Sequence, residues 1–169
     1  ESLSNLVDWK DRSTCILFGD GAGAVVLRAE EGESYHMVTH SDGSKGEALT
    51  CDTGSFMKMD GQEVFKFAVR QVPACIAEVM EHNHLMAEDI DYFILHQANR
   101  RIVEAVAKRM KVELTKFPMN LQEYGNTSSA SIPLLLDEMN REGRLKKGQK
   151  LVLAGFGAGL SWGASLLEW

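Results

Sequence analysis

A chain of 169 residues, 44% hydrophobic and 25% charged, carries enough apolar material for a core of its own. A formal net charge of −6 argues against general nucleic-acid binding, and no apolar run approaches the length of a membrane span. Three scattered cysteines, Cys15, Cys51 and Cys75, lack metal-ligand spacing and read as the reduced thiols of a cytoplasmic protein.

The chain opens on Glu1, without a signal-like segment and in what reads as mid-domain sequence, so a piece of a longer protein is expected. Residues 13–18 form a strand-like run, and Val25-Val26-Leu27 a second. The glycines between them, Gly19, Gly21 and Gly23, invite a dinucleotide-loop reading. That reading fails because β-branched Val25 and Val26 continue as strand where a helix should begin. A tight turn of small residues under a close neighbour is the expectation instead. Residues 30–34 read as a charged turn, 35–40 as a third strand, and 42–60 as a long surface loop.

Residues 62–81 are helical by period, with Val64, Phe65, Ala68, Val72, Cys75, Ile76 and Val79 on one face and a kink expected at Pro73. Cys75 is then a small core residue. His82 and His84, at the end of that helix, have no evident third ligand and read as surface or capping residues. Tyr92-Phe93-Ile94-Leu95 is a short apolar run that reads as a buried strand, followed by an amphipathic helix to about Met110. Residues 117–121 look like another strand. From Thr127 to about Glu142, Ile132, Leu135, Leu136 and Met139 mark a further helix, in which Pro133 is tolerable only near the first turn. Gly143 and Lys146-Lys147-Gly148 make a turn. Residues 151–156 are a buried strand, Gly157-Ala158-Gly159 a glycine turn, and 160–169 a closing strand. Strands alternating with helices indicate a layered α/β fold.

Two corners carry the chemistry. His96 follows the strand 92–95, and Asn126 stands between Gly125 and the helix after it. A polar residue at the C-terminal end of a buried strand lies where α/β sheets place their ligands. Two such corners point to a shared pocket. On the helix after His96, Arg100, Arg101, Lys108, Arg109 and Lys111 are opposed only by Glu104, and Lys66 and Arg70 make a second basic pair. Such a patch suits an acidic partner.

His96-Gln97-Ala98-Asn99, the run Tyr124 to Ser131 (YGNTSSAS), the run Phe156 to Gly163 (FGAGLSWG), and the run Phe18 to Ala24 (FGDGAGA) occur in register. Together with the run Gly61 to Lys66 (GQEVFK), they closely resemble the β-ketoacyl-[acyl-carrier-protein] synthase III family, the initiating condensing enzymes of type II fatty acid synthesis. The resemblance implies a thiolase-like fold of αβαβα layers, with residues 1–45 ending the N-terminal half and 46–169 forming the C-terminal half. It implies a Cys-His-Asn site in which His96 and Asn126 are catalytic and the backbone N–H of Ala158 contributes to an oxyanion hole. Ala158 is acceptable there only with a negative or mildly strained φ. Phe65 and Phe156 would line the reaction centre, Ala98 and Asn99 the pantetheine arm, and Lys66, Arg101, Lys108 and Arg109 a docking face for acyl carrier protein.

The substrates so implied are acyl-CoA and carrier-protein thioesters, with no permanently bound cofactor, and the intact protein would be a homodimer. The family's nucleophile sits in an Ala-Ala-Cys-x-Gly-Phe setting at a helix start, which none of the three cysteines has. The nucleophile is therefore expected outside this chain, leaving the chain alone inactive. A related thiolase-fold acyltransferase or polyketide-type condensing enzyme, and a silent domain that only binds carrier protein, are the alternative readings.

Overall fold

A computed structural model describes residues 1–27, 29, 31–32 and 36–169. Its central sheet has the order β1-β6-β5-β4, with β1 Met37–Ser41, β4 Tyr92–Leu95, β5 Lys150–Gly157 and β6 Ser161–Glu168. β4 pairs with β5 in parallel, Tyr92 opposite Leu151, while β6 runs antiparallel to both β5 and β1. A two-stranded hairpin, β2 Leu49–Thr50 and β3 Lys58–Met59, stands apart from it.

Helices cover both faces. On one, α1 (Gly61–His82) and α2 (Arg100–Met110) bury Val72, Ile76, Val79, Val103 and Val106 against Phe93, Leu95, Val152 and Ala154. On the other, α4 (Ser131–Arg141) buries Leu135, Leu136 and Met139 against Ile94 and Leu151. Successive residues of β4 thus alternate between the two cores, which is why the strand reads as a continuous apolar run.

The helix ends follow local chemistry. Asp60 caps α1, its carboxylate accepting from the N–H groups of Gln62 and Glu63. Asn99 caps α2 through its side-chain oxygen and the Arg101 N–H. Pro133 is the third residue of α4, inside its first turn, where its missing N–H costs nothing. Pro73 lies inside α1, which is a single helix from Gly61 to His82. Both His82 and His84 are exposed, and the cap of α1 is Asn83, whose Nδ2 donates to the Val79 carbonyl at 2.7 Å.

Several strand expectations are corrected. Residues 13–17 are turns, because Asp11 draws the chain back: its carboxylate accepts from the Ser13 N–H and from the hydroxyls of Ser13 and Thr14. Val25, Val26 and Leu27 carry no regular secondary structure and are exposed, with no partner strand among the described residues. Residues 117–120 are coil, because Pro118 has no N–H for a ladder. Phe117 instead stacks on Phe93 with ring centroids 4.9 Å apart. A single helical turn, α3 (Leu121–Tyr124), follows. The stretch 42–60, expected as plain loop, contains a 3-10 segment and the β2–β3 hairpin. Residues 30, 33 and 34 of the charged turn, and Tyr35 at the head of the third strand, lie outside the described residues.

The expectation of close packing at the first glycine run holds, whereas that of a tight turn does not. A Cβ on Gly19 would come within 2.1 Å of the Tyr124 carbonyl oxygen, and one on Gly23 within 2.4 Å of Pro133 Cγ. These glycines let the segment press against Tyr124 and against the first turn of α4.

Candidate active site

His96 continues the β4–β5 ladder by one bond, its N–H donating to the Ala154 carbonyl at 2.8 Å. This puts the ring at the C-terminal edge of the parallel pair, edge-on to Phe156 at 5.4 Å. Its Nδ1 lies 2.7 Å from the Ser131 hydroxyl in the first turn of α4. Burial pulls its pKa down from 6.5 to about 4, so the ring is neutral at ordinary pH. The cause is desolvation rather than the dipole of the following helix. α2 begins at Arg100 behind its Asn99 cap, leaving His96 too far from the helix end for the macrodipole to dominate.

Asn126 is held by a segment from the opposite end of the chain. Its N–H donates to the Leu17 carbonyl at 2.8 Å, and its carbonyl accepts from the Gly19 N–H at 2.9 Å, around a parallel bridge to Phe18. Gly125 precedes it with φ +70°, where a Cβ would press on the Leu17 carbonyl oxygen at 3.1 Å. Asn126 Oδ1 accepts from the Ser128 N–H at 2.9 Å, and Ser128 adopts φ +52°. Because a backbone N–H can only meet an oxygen, the amide orientation is set, and the Nδ2 hydrogens are left as its donors.

His96 and Asn126 line one cleft of about 1310 Å³. Phe65, Lys66, Ala98, Asn99, Arg101, Phe156 and Ala158 line it too, so the structure brings together most of the residues singled out from sequence. Lys108 and Arg109 are not on this wall; they are exposed in the last turn of α2. The side-chain oxygen of Asn99 is already committed to capping α2. Ala158 has a negative φ, as its side chain requires, and the left-handed position of that turn falls to Gly159 at +131°. At the mouth, the Arg101 guanidinium sits 5.7 Å above the Phe65 ring. Lys66 and Lys45 both pair with Glu63, at 2.8 and 2.9 Å, and hold its pKa at about 2, Lys66 contributing most.

The three thiols differ. Cys75 is 2% exposed in the α1 core, and desolvation pushes its pKa up to about 11. Cys15 is half-buried away from the cleft; Cys51 is exposed on the cleft's outer wall.

Three residues around the site escaped sequence reasoning. Ser131 contacts His96; Ser128 orients Asn126. Gln97 is buried and ties its Nε2 to the Leu95 carbonyl at 2.7 Å, while its Oε1 accepts from the Asn120 N–H at 3.3 Å. All three stand within the motif runs, but only as polar residues whose burial the spacing does not reveal.

Comparison with known proteins decides the family. A family model described as 3-oxoacyl-[acyl-carrier-protein (ACP)] synthase III C terminal matches residues 80–169, and the companion 3-oxoacyl-[acyl-carrier-protein (ACP)] synthase III model matches 1–46. The chain belongs to the 3-oxoacyl-[acyl-carrier-protein] synthase III family.

Among synthase III relatives, the β-ketoacyl-[acyl-carrier-protein] synthase III of Clostridium novyi is 48% identical over 184 residues, covering 100% of this chain and 57% of its own length. That of Synechococcus sp. is 47% identical over 187 residues, covering 100% and 56%. The chain thus spans little more than half the length of these curated relatives. The crystal structure of the Aquifex aeolicus synthase III superposes with a TM-score of 0.94 at 44% identity, covering 99% of this chain and 55% of that one. A priming β-ketosynthase of the R1128 polyketide pathway gives 0.90 at 33% identity, covering 98% and 54%. The fold is accordingly thiolase-like, as the motifs implied.

Proposed function

We propose that this chain carries the decarboxylating half of a β-ketoacyl-[acyl-carrier-protein] synthase III, an acyltransferase that joins an acyl-CoA primer to malonyl-carrier-protein. The observation that carries the reading is the pair His96 and Asn126 in one cleft, a neutral imidazole and an oriented amide. When the malonyl thioester loses CO2, the electrons of the broken C–C bond pass into an enolate whose charge rests on the thioester oxygen. Two neutral N–H donors aimed at that oxygen lower the barrier, and neither donor loses its proton. The enolate carbon then attacks the acyl thioester held on a cysteine, the C–S bond breaks, and a β-ketoacyl product leaves. The Ala158 N–H is proposed to stabilise the oxyanion of that second step.

The nucleophile is proposed to lie outside this chain, since Cys75 is sealed in the core and no other thiol here has the family's setting. Phe65, Phe156, Ala98 and Asn99 are proposed to line the acyl and pantetheine path, with Lys66 and Arg101 receiving carrier protein at the mouth. Lys108 and Arg109 would extend that face along α2. A cytoplasmic homodimer without a permanently bound cofactor completes the proposal. Residues 46–169 would make up the C-terminal half. A polyketide-type priming role is the second reading, favoured by the R1128 likeness; primer preference separates the two.

The test is decarboxylation of malonyl-carrier-protein by the full-length protein. Losing one donor should lower the rate by roughly 10²–10³ in His96→Ala and in Asn126→Ala. Unchanged rates in both variants would overturn the assignment.

A further inference from the structure

Ser131 is 2% exposed, and its hydroxyl faces two groups. The Gln97 N–H donates to Oγ at 3.2 Å, and His96 Nδ1 lies 2.7 Å away. A hydroxyl has one proton to give and two lone pairs to receive with. The Gln97 N–H can only donate, so it occupies a lone pair and leaves the Ser131 proton free.

Two arrangements with His96 are then open. If Nδ1 carried the imidazole proton, Oγ would receive two donors, and its own O–H would need a third partner. Among the described residues no such acceptor is present. The only groups within hydrogen-bonding geometry of the Ser131 hydroxyl among the described residues are His96 Nδ1 and the Gln97 N–H. A buried donor would be stranded. If the Ser131 O–H donates to Nδ1, every group in the cluster is satisfied. The ring proton then sits on Nε2, which has no protein partner among the described residues.

We propose that Ser131 is a positioning residue: its hydroxyl donates to His96 Nδ1 and fixes the imidazole as the Nε2–H tautomer, ready to donate to a ligand in the cleft. The ring is neutral because it is desolvated; Ser131 decides which nitrogen keeps the proton. α4 is thereby more than a structural cover for the sheet, since its first turn sets the donor of the site. The inference rests on the proposed donor role of His96 for its use, though not for its geometry.

The experiment is nitrogen-15 NMR of the imidazole in the full 169-residue chain at pH 7, with the His96 signals assigned by their loss in His96→Gln. The wild type should show one tautomer, protonated at Nε2. Ser131→Ala should give a mixture or the Nδ1–H form, and Ser131→Thr, which keeps the hydroxyl, should restore Nε2–H. A wild-type ring protonated at Nδ1, or a Ser131→Ala ring still wholly protonated at Nε2, would overturn the proposal. If Ser131→Ala does not fold, Ser131→Gly takes its place, and a wild-type Nδ1–H signal alone suffices to reject. In the full-length protein, Ser131→Ala should lower kcat for decarboxylation roughly tenfold to a hundredfold with KM little changed, by analogy with the loss when partners that orient metal-bound histidines are removed. A correct tautomer response together with an inert His96→Ala substitution would reject the function and leave this inference standing.

Discussion

His96 couples the candidate site to a pH liability. In the unfolded chain its imidazole titrates near 6.5, whereas in the fold its pKa is about 4. Between those values the unfolded state binds a proton that the native state refuses, so stability falls as pH drops through that window. The contribution is fully present above pH 6.5 and lost by pH 4, at most about 3 kcal/mol for a shift of this size. Urea denaturation at pH 7 and pH 4.5 should show His96→Gln losing less stability on acidification than the wild type. Equal losses would place the acid sensitivity elsewhere. Ser128, at φ +52°, is the other residue whose backbone serves the site: its left-handed turn presents the N–H that fixes the Asn126 amide.

At the scale of elements, regular periodicity was legible and irregular pairing was not. The amphipathic patterns of α1, α2 and α4 stood out because each has a single buried face. The runs behind β4, β5 and β6 were apolar enough to read directly. The strands expected at 13–18 and 117–121 failed for local reasons, an aspartate collecting nearby donors in one case and a proline in the other. The one expected at Val25–Leu27 has no partner among the described residues, which a short run cannot announce. The site was legible as two corners, since His96 and Asn126 sit in distinctive local sequence. Their orienting partners were not, because whether a serine is buried beside a ring depends on how α4 meets the sheet.

The same junction offers a measurable contact. A Cβ added at Gly23 would sit 2.4 and 2.7 Å from two carbons of Pro133, a ring that cannot swing aside. Gly23→Ala should therefore cost about 1–3 kcal/mol, read as a lower urea midpoint. Gly43→Ala, whose added carbon meets nothing within 4 Å, should leave the midpoint within error. A silent Gly23→Ala would mean that the segment 17–23 is not seated as described.

For the molecule as a whole, chemistry divides unevenly along the chain. The cleft holds donors, aromatic walls and a basic mouth, while its three thiols are sealed, half-buried or confined to the outer wall. Incubating the chain with acetyl-CoA and weighing it should yield no stoichiometric adduct. A thiol-sensitive acetyl on Cys51, the thiol nearest the cleft, would move the nucleophile into this chain. At the mouth, Glu63 shares its charge between Lys45 and Lys66, so an arriving polyanion must displace a carboxylate to claim either lysine, whereas Arg101 meets no carboxylate among the described residues.

The bridge between Phe18 and Asn126 has a kinetic meaning. The helices and the β5–β6 hairpin close over short loops, but the segment that holds Asn126 must return from the far end of the sequence. Contacts of such long span form after local ones and carry the largest loop-closure entropy. The contact that holds the amide donor is therefore expected to form after the helices and the β5–β6 hairpin, as is the still longer-range β1–β6 pairing.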